Sequence, residues 1–168
     1  QNMSVIDDLN VFPVPDGDTG KNMTMTIEGG VSATQGEFDG IASLMTKFSR
    51  YSLLSARGNS GVILSQFIRG LAIGSELVNE FTPETFTTAY ECGVKYAYNA
   101  VAKPTEGTML TVLREGGEFL SSNNFDDFAA LFGKLPKNIV STVCFGENAE
   151  EFQMLSKSAG IESKVAVD

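Results

Sequence analysis

Between Thr82 and Pro104 the stretch "TPETFTTAYECGVKYAYNAVAKP" leaves the backbone little choice. Thr82 has an N-cap side chain, Pro83 suits the first helical position because it has no N–H to satisfy, and Pro104 stands just past the end. Between them Phe86, Ala89, Tyr90, Gly93, Val94, Ala97 and Val101 form one apolar stripe at helical spacing. The same spacing recurs through Ile41, Leu44, Met45 and Phe48 in "GIASLMTKFSRYSLLSAR" and through Ile63, Phe67 and Leu71 in "SGVILSQFIRGLAIG". It returns through Met109, Val112, Leu113, Gly116 and Leu120 in "GTMLTVLREGGEFL". Gly70, Gly93 and Gly116 interrupt these stripes at a cost in helix propensity, and close helix–helix approach is the compensating gain. The expected fold is mainly α, an antiparallel helical bundle or barrel over residues 1–137.

Residues 138–168 form either the end of that domain or the start of another. "KNIVSTVCFG" and "SKVAVD" look like strands and "NAEEFQMLSKSAG" like a helix stopped by Gly160, so a short α/β segment is one reading. Buried helix segments are the other, since periodicity does not separate the two in runs this short. "SSNN" at 121–124 is the best loop candidate.

Histidine is absent. No Ser-His-Asp or Cys-His constellation can therefore be assembled within this chain, nor a histidine-bearing zinc site. The formal net charge of -9 argues against a nucleic-acid backbone as ligand, while leaving nucleotides bridged by a divalent cation. Apolar runs are far shorter than a membrane span, and no basic-then-apolar signal segment opens the sequence. Cys92 and Cys144 lack paired spacing and read as reduced thiols, which fits a cytoplasmic protein.

Three polar, glycine-bearing loops each run into a helix. In "NVFPVPDGDTGKNM" prolines and glycines stiffen a loop that projects Asp16 and Asp18, one residue apart. An EF-hand fails on spacing, because counting from Asp16 its glycine position is Lys21 and its bidentate acidic position is Ile27. Magnesium suits the pair better, being held by one or two carboxylates with waters and phosphates, and Asn10 could add an oxygen. The bland alternative is an Asp-Gly turn with solvated carboxylates. In "ARGNSGV" a Gly-Asn-Ser-Gly turn before an apolar helix offers N–H groups at the positive end of a helix dipole, an anion site. Ser60 or Asn59 as a plain N-cap weighs equally. In "KPTEGTML" a tight turn opens the last helix, with Met109 and Leu110 able to present an apolar wall to a base; unaided, it is a helix start. Together the loops suggest helix N-termini gathered around one anionic, cation-bridged ligand.

"LNVFPVPDGDTGKNM", "SARGNSGVILSQ" and "PTEGTMLTVLREG", in that order, resemble the nucleotide-binding domain of bacterial fatty acid kinase, of the DhaL-like family that includes the ADP- or ATP-binding subunit of dihydroxyacetone kinase. The resemblance runs from about residue 5 to 120. It implies a DhaL-like barrel of helices holding ATP or ADP and two magnesium ions at one end. Asp16 and Asp18 would ligate the metal and act in catalysis through it, with Asn10 nearest the place of an upstream aspartate in the dihydroxyacetone branch. Thr19, Asn22, Asn59, Ser60 and Gly61 would lie by the phosphates, and Gly107, Thr108 and Met109 would line the nucleotide. Thr19 stands where the dihydroxyacetone branch has a histidine, which favours the fatty acid kinase branch. The resemblance implies Mg-dependent transfer of the ATP γ-phosphoryl to a fatty acid carboxylate held by a separate DegV-like protein, giving an acyl phosphate for phospholipid metabolism. No nucleic acid and no stable membrane insertion are expected, and a homodimer would use regions outside this chain. The alternatives are a dihydroxyacetone kinase subunit and a non-catalytic nucleotide-binding regulatory module.

Overall fold

A computed structural model of the chain describes residues 3–36, 38–78 and 81–122, together with the backbone of 141–144 and 162–165. The chain divides into two compact units, Gln1–Ser122 and Asn123–Asp168. The first unit is helical where it is regular: α1 (Met3–Asp8), α2 (Thr19–Ala33), α3 (Gly40–Ser55), α4 (Gly58–Gly74), α5 (Pro83–Asn99) and α6 (Met109–Ser122). Among the described residues of the second unit, β1 (Ser141–Cys144) and β2 (Glu162–Val165) pair in parallel, with Ser141 opposite Glu162 and Cys144 opposite Val165. The protein is a mainly α helical bundle with a short strand pair at its C-terminal end. Ser121 and Ser122, expected to open the "SSNN" loop, are instead the last residues of α6, the Ser121 hydroxyl donating to the Gly117 carbonyl within that helix; residues 123–124, the helix expected over "NAEEFQMLSKSAG" and the side chain of Cys144 lie outside the described residues. Cys92 is a free, half-buried thiol.

Helix α5 starts as its sequence dictates. The Thr82 hydroxyl accepts from the Thr85 N–H and the Thr85 hydroxyl accepts from the Thr82 N–H, a reciprocal capping box, with Pro83 in the first turn. Its stripe is inward, with Ala89, Gly93 and Ala97 buried. Glycines set how near α4 can come: a methyl group on Gly70 would lie 2.5 Å from the Cys92 carbonyl oxygen, and one on Gly93 2.8 Å from the Phe67 ring. A methyl group on Gly116 of α6 would lie 2.5 Å from the Tyr90 hydroxyl. The core is built on Phe67, Ile68, Ala97 and Leu110, with Tyr90 standing edge-on to Phe67 at 5.0 Å between ring centroids.

One stripe is rotated from its expected position. Val112 of α6 is 70% exposed, and the buried positions are Leu110 and Gly117. The face runs through Leu110, Leu113 and Gly117 because Tyr90 and Val94 of α5 approach the small Gly116–Gly117 pair, not the bulkier Val112.

Helix direction positions the site. Residues 67, 70 and 74 of α4 meet 93, 92 and 89 of α5, so these two run antiparallel. Tyr98 meets Leu110 and Tyr90 meets Gly116, so α6 is antiparallel to α5 in turn. Asn22 faces Gly58 and Thr26 faces Gly61, so α2 and α4 run parallel. Helices α2, α4 and α6, the three entered through the glycine-bearing loops, therefore all begin at one end of the bundle.

Candidate functional site

The first loop is tied from both sides. Asn10 Nδ2 donates to the Val14 carbonyl at 2.9 Å, while Asn10 Oδ1 accepts from the N–H of Asp18 at 3.3 Å and of Thr19 at 3.2 Å, and from the Thr19 hydroxyl at 2.7 Å. Asp7 of α1 supplies a second tie: its Oδ1 accepts from the N–H of Gly20 at 2.7 Å and of Lys21 at 3.2 Å. The first N–H groups of α2 are thus met by an amide oxygen and a carboxylate, which also complements the helix dipole. Gly20 makes this docking sterically feasible, since a methyl group there would collide with the Met3 carbonyl. The peptide between Phe12 and Pro13 in this loop is cis.

Asp16 and Asp18 remain outside those ties. Asp18 stands at the N-cap position of α2 without a capping hydrogen bond from its side chain, and Asp16 is exposed. Among the described residues neither carboxylate has a hydrogen bond or an ion pair. No three His, Cys, Asp or Glu side chains converge on one point there either. This loop can therefore give a cation two carboxylates at most, and phosphates and water must complete its coordination, the manner in which magnesium is usually held.

The second loop behaves differently. Helix α4 begins at Gly58, with Arg57 at the N-cap and no side-chain cap. The reading of Ser60 or Asn59 as an N-cap is overturned: both lie inside the first turn. Gly58 adopts φ +60, in the left-handed region, and starts the helix two residues before Ser60. Gly61 makes the first helical bond, to the Arg57 carbonyl at 3.1 Å, so the N–H groups of Gly58, Asn59 and Ser60 have no acceptor among the described residues. The Arg57 guanidinium folds back onto the carbonyls of Ala56 (2.7 Å) and Leu54 (3.4 Å) at the end of α3.

Asn22 joins the two loops. It is 6% exposed on α2, its Nδ2 is buried without a hydrogen-bond partner, and it lies so near Gly58 that a methyl group there would strike it. A methyl group on Gly61 would sit 2.8 Å from the Thr26 hydroxyl. An orphaned donor beside three uncapped N–H groups, with unpaired carboxylates on the neighbouring loop, is a donor set for phosphate oxygens bridged by a cation.

The third loop has its own brace. Thr108 caps α6, its hydroxyl accepting from the Leu110 N–H at 3.3 Å and donating to the Thr105 carbonyl at 2.8 Å. Glu106 accepts from Tyr98 at 2.9 Å, Thr111 at 2.6 Å and Arg114 at 3.2 Å. Those bonds, from Thr111 first and then Arg114 and Tyr98, hold the Glu106 carboxyl down at about 2. Arg114 is raised in turn, first by Glu118 and then by Glu106. No hydrogen bond joins Gly107, Thr108 or Met109 to the first two loops.

The expected residues thus fall into two groups. Asn10, Asp16, Asp18, Thr19, Asn22, Asn59, Ser60 and Gly61 belong to one contiguous region, whereas Gly107, Thr108 and Met109 share only the same end of the bundle. Asp7 and Glu106 escaped the sequence reading. The sole hint of Asp7 was a carboxylate upstream of a helix start, and of Glu106 an acidic residue within three residues of Thr108.

Fold and site together define a helical domain that presents carboxylates and uncapped amides at one end. The chain belongs to the DAK2 domain family, which matches residues 13–143. That family is associated with the nucleotide-binding part of dihydroxyacetone-type kinases, which binds ADP or ATP. The chain is 46% identical over 119 residues to protein YloV of Bacillus subtilis, covering 70% of this chain and 22% of that protein. It is 45% identical over 118 residues to an uncharacterized protein of Staphylococcus haemolyticus, covering 70% of this chain and 21% of the other. An uncharacterized protein of Staphylococcus aureus strain USA300 is 42% identical over 129 residues, covering 75% and 24%. The chain therefore spans between a fifth and a quarter of these relatives. No helix among the described residues is long and apolar enough to cross a membrane.

Proposed function

We propose that this chain is the ATP-binding domain of a fatty acid kinase, transferring the ATP γ-phosphoryl to a fatty acid carboxylate presented by a separate DegV-like lipid-binding protein in the cytoplasm. The observation that carries the nucleotide part is the orphaned Asn22 Nδ2 beside the uncapped start of α4, next to a loop with two unpaired carboxylates. In this reading Asn22 and the N–H groups of Gly58, Asn59 and Ser60 bind phosphate oxygens, and the Ser60 hydroxyl adds a further donor. Asp16 and Asp18 hold magnesium, two ions by the family resemblance, while Asn10 and Thr19 keep the loop in shape. Asn10 Oδ1 already accepts three bonds, so any ligation by it would have to displace some of them. Magnesium, when bound, would neutralise charge on the phosphates during transfer.

Transfer forms a bond between a carboxylate oxygen and the γ-phosphorus as the bond to the β-phosphate oxygen breaks and ADP leaves. A fatty acid carboxylate is already ionised near neutral pH, so a chain without histidine is chemically adequate. The resemblance in "FPVPDGDTG", with Thr19 following Asp18, supports the carboxylate acceptor over dihydroxyacetone. Calorimetry of Mg-ATP binding tests the nucleotide half. The acceptor half is tested by acyl-phosphate formation, trapped as a hydroxamate, with and without a lipid-loaded DegV-like protein. Turnover that rises and saturates with that partner supports the reading, and rapid turnover of unassisted fatty acid overturns it.

A further inference from the structure

Arg57 stands where α3 gives way to α4, at the N-cap of α4 and immediately before its three amides without an acceptor. The residue is exposed, and both hydrogen bonds of its guanidinium come from Nη1 alone, to the carbonyls of Ala56 and Leu54. A guanidinium carries five N–H donors in a rigid plane, and Nε and Nη2 form the edge that matches two oxygens at once. Among the described residues that edge has no acceptor, and no carboxylate pairs with Arg57. Arg114, by contrast, is held among Glu106, Glu115 and Glu118.

The carbonyls close the end of α3, where a positive side chain is favoured. They also fix the plane of the guanidinium while leaving its bidentate edge unspent. Asp16 and Asp18 on the adjoining loop are unpaired as well, and Asn22, with its orphaned buried Nδ2, packs against Gly58, the residue after Arg57. Unpaired charges of both signs on two adjoining loops suit a cation-bridged polyphosphate: carboxylates take the cation and a guanidinium takes phosphate oxygens. We propose that Arg57 is a further phosphate-binding residue, offering Nε and Nη2 to the ligand whose other oxygens meet Asn22 and the amides of Gly58, Asn59 and Ser60. It acts by charge and not by proton transfer, because a guanidinium stays protonated in a protein. This deepens the nucleotide reading and rests on it.

The test measures Mg-ATP and Mg-tripolyphosphate binding to the full chain by calorimetry, with the melting temperature of each protein. The variants are Arg57→Gln, which keeps an N–H donor for the Ala56 carbonyl, Arg57→Lys, and Lys21→Ala, which removes one positive charge from the start of α2. Arg57→Gln is expected to weaken both ligands roughly tenfold or more. Arg57→Lys should weaken both roughly fivefold, since an ammonium has no fixed edge to offer, and Lys21→Ala should change either by less than about twofold. If Arg57→Gln lowers the melting temperature but binds both ligands like the parent, Arg57 is only a cap for α3 and the proposal falls. It falls too if Lys21→Ala weakens binding as much, which would make the effect one of overall charge, or if Mg-ATP weakens while Mg-tripolyphosphate does not. Should Arg57→Gln fail to fold, Arg57→Lys decides, and parent-like affinity in it overturns the proposal. A parent protein that binds no Mg-ATP instead removes the nucleotide reading itself, and this proposal with it.

Discussion

Helices α2 and α4 begin side by side and treat their first N–H groups in opposite ways. The start of α2 is met from within by Asp7 and Asn10, whereas that of α4 is left open beneath the buried amide of Asn22. An anion arriving at α2 would have to displace a carboxylate; at α4 it meets donors with nothing to satisfy them. Two helix starts in one small region thus differ in kind, one fixing a loop that projects acidic groups and the other leaving its donors open. The lesson is that a glycine-rich turn before a helix says nothing by itself about anion binding. What decides is whether some other part of the chain has already satisfied the amides.

The contrast breaks most severely at Gly58. Gly58→Ala forces a side chain into a left-handed conformation and against Asn22, and is expected to cost about 2 kcal/mol or more in stability. Thermal unfolding checks this, and an unchanged melting temperature would show that the α4 start can be rebuilt without its glycine. Next comes Asp18→Asn, which should keep the fold and weaken Mg-dependent ATP binding by roughly tenfold, about 1.4 kcal/mol. Calorimetry showing equal affinity would place the metal elsewhere. Asp7→Ala should cost about 1 kcal/mol of stability, as the loss of a helix cap does, and denaturant titration measures it. Ser60→Ala sharpens the comparison from the other side. With Ser60 inside the first turn and not at the cap, stability should stay within about 0.5 kcal/mol while Mg-ATP affinity falls, at a temperature where both proteins are folded.

The smallest effect concerns acid. The Glu106 carboxyl is lowered to about 2 by Thr111, Arg114 and Tyr98, below its ordinary 4.5. Its contribution to stability is therefore complete above 4.5 and is lost as pH falls toward about 2. In that window Glu106→Gln should show a shallower loss of stability than the parent, measured by thermal unfolding at stepped pH.

Much of the helical frame was legible from residues alone. Thr82, Pro83 and the stripe from Phe86 to Val101 specify α5 through local rules, and Gly70, Gly93 and Gly116 mark the close approaches the fold does make. Asp7 was not legible because its bond to Gly20 spans thirteen residues and depends on how a six-residue helix docks. The start of α4 was misread because Asn59 and Ser60 are residue types that usually cap, and only the backbone of Gly58 shows that the helix is already under way. Val112 misled for a related reason. Adjacent stripes on α6 are both apolar, and which one turns inward is settled by the neighbour, Tyr90, that needs room beside Gly116.

The seam between α4 and α5 has a consequence for how such a sequence can drift. A methyl group on Gly70 would meet the Cys92 backbone, and one on Gly74 would lie 2.6 Å from the Ala89 Cα, so at these two positions main chain, not a movable side chain, is what blocks enlargement. In a library of random variants these positions should tolerate an alphabet of nearly one letter, while exposed Leu77, four residues past Ile73, accepts many. Because no rotamer change can make the space, a larger residue at Gly70 or Gly74 requires the two helices to separate in the same step. Gradual exchange is closed there, and these glycines would persist through changes at the helix starts that leave the seam packed.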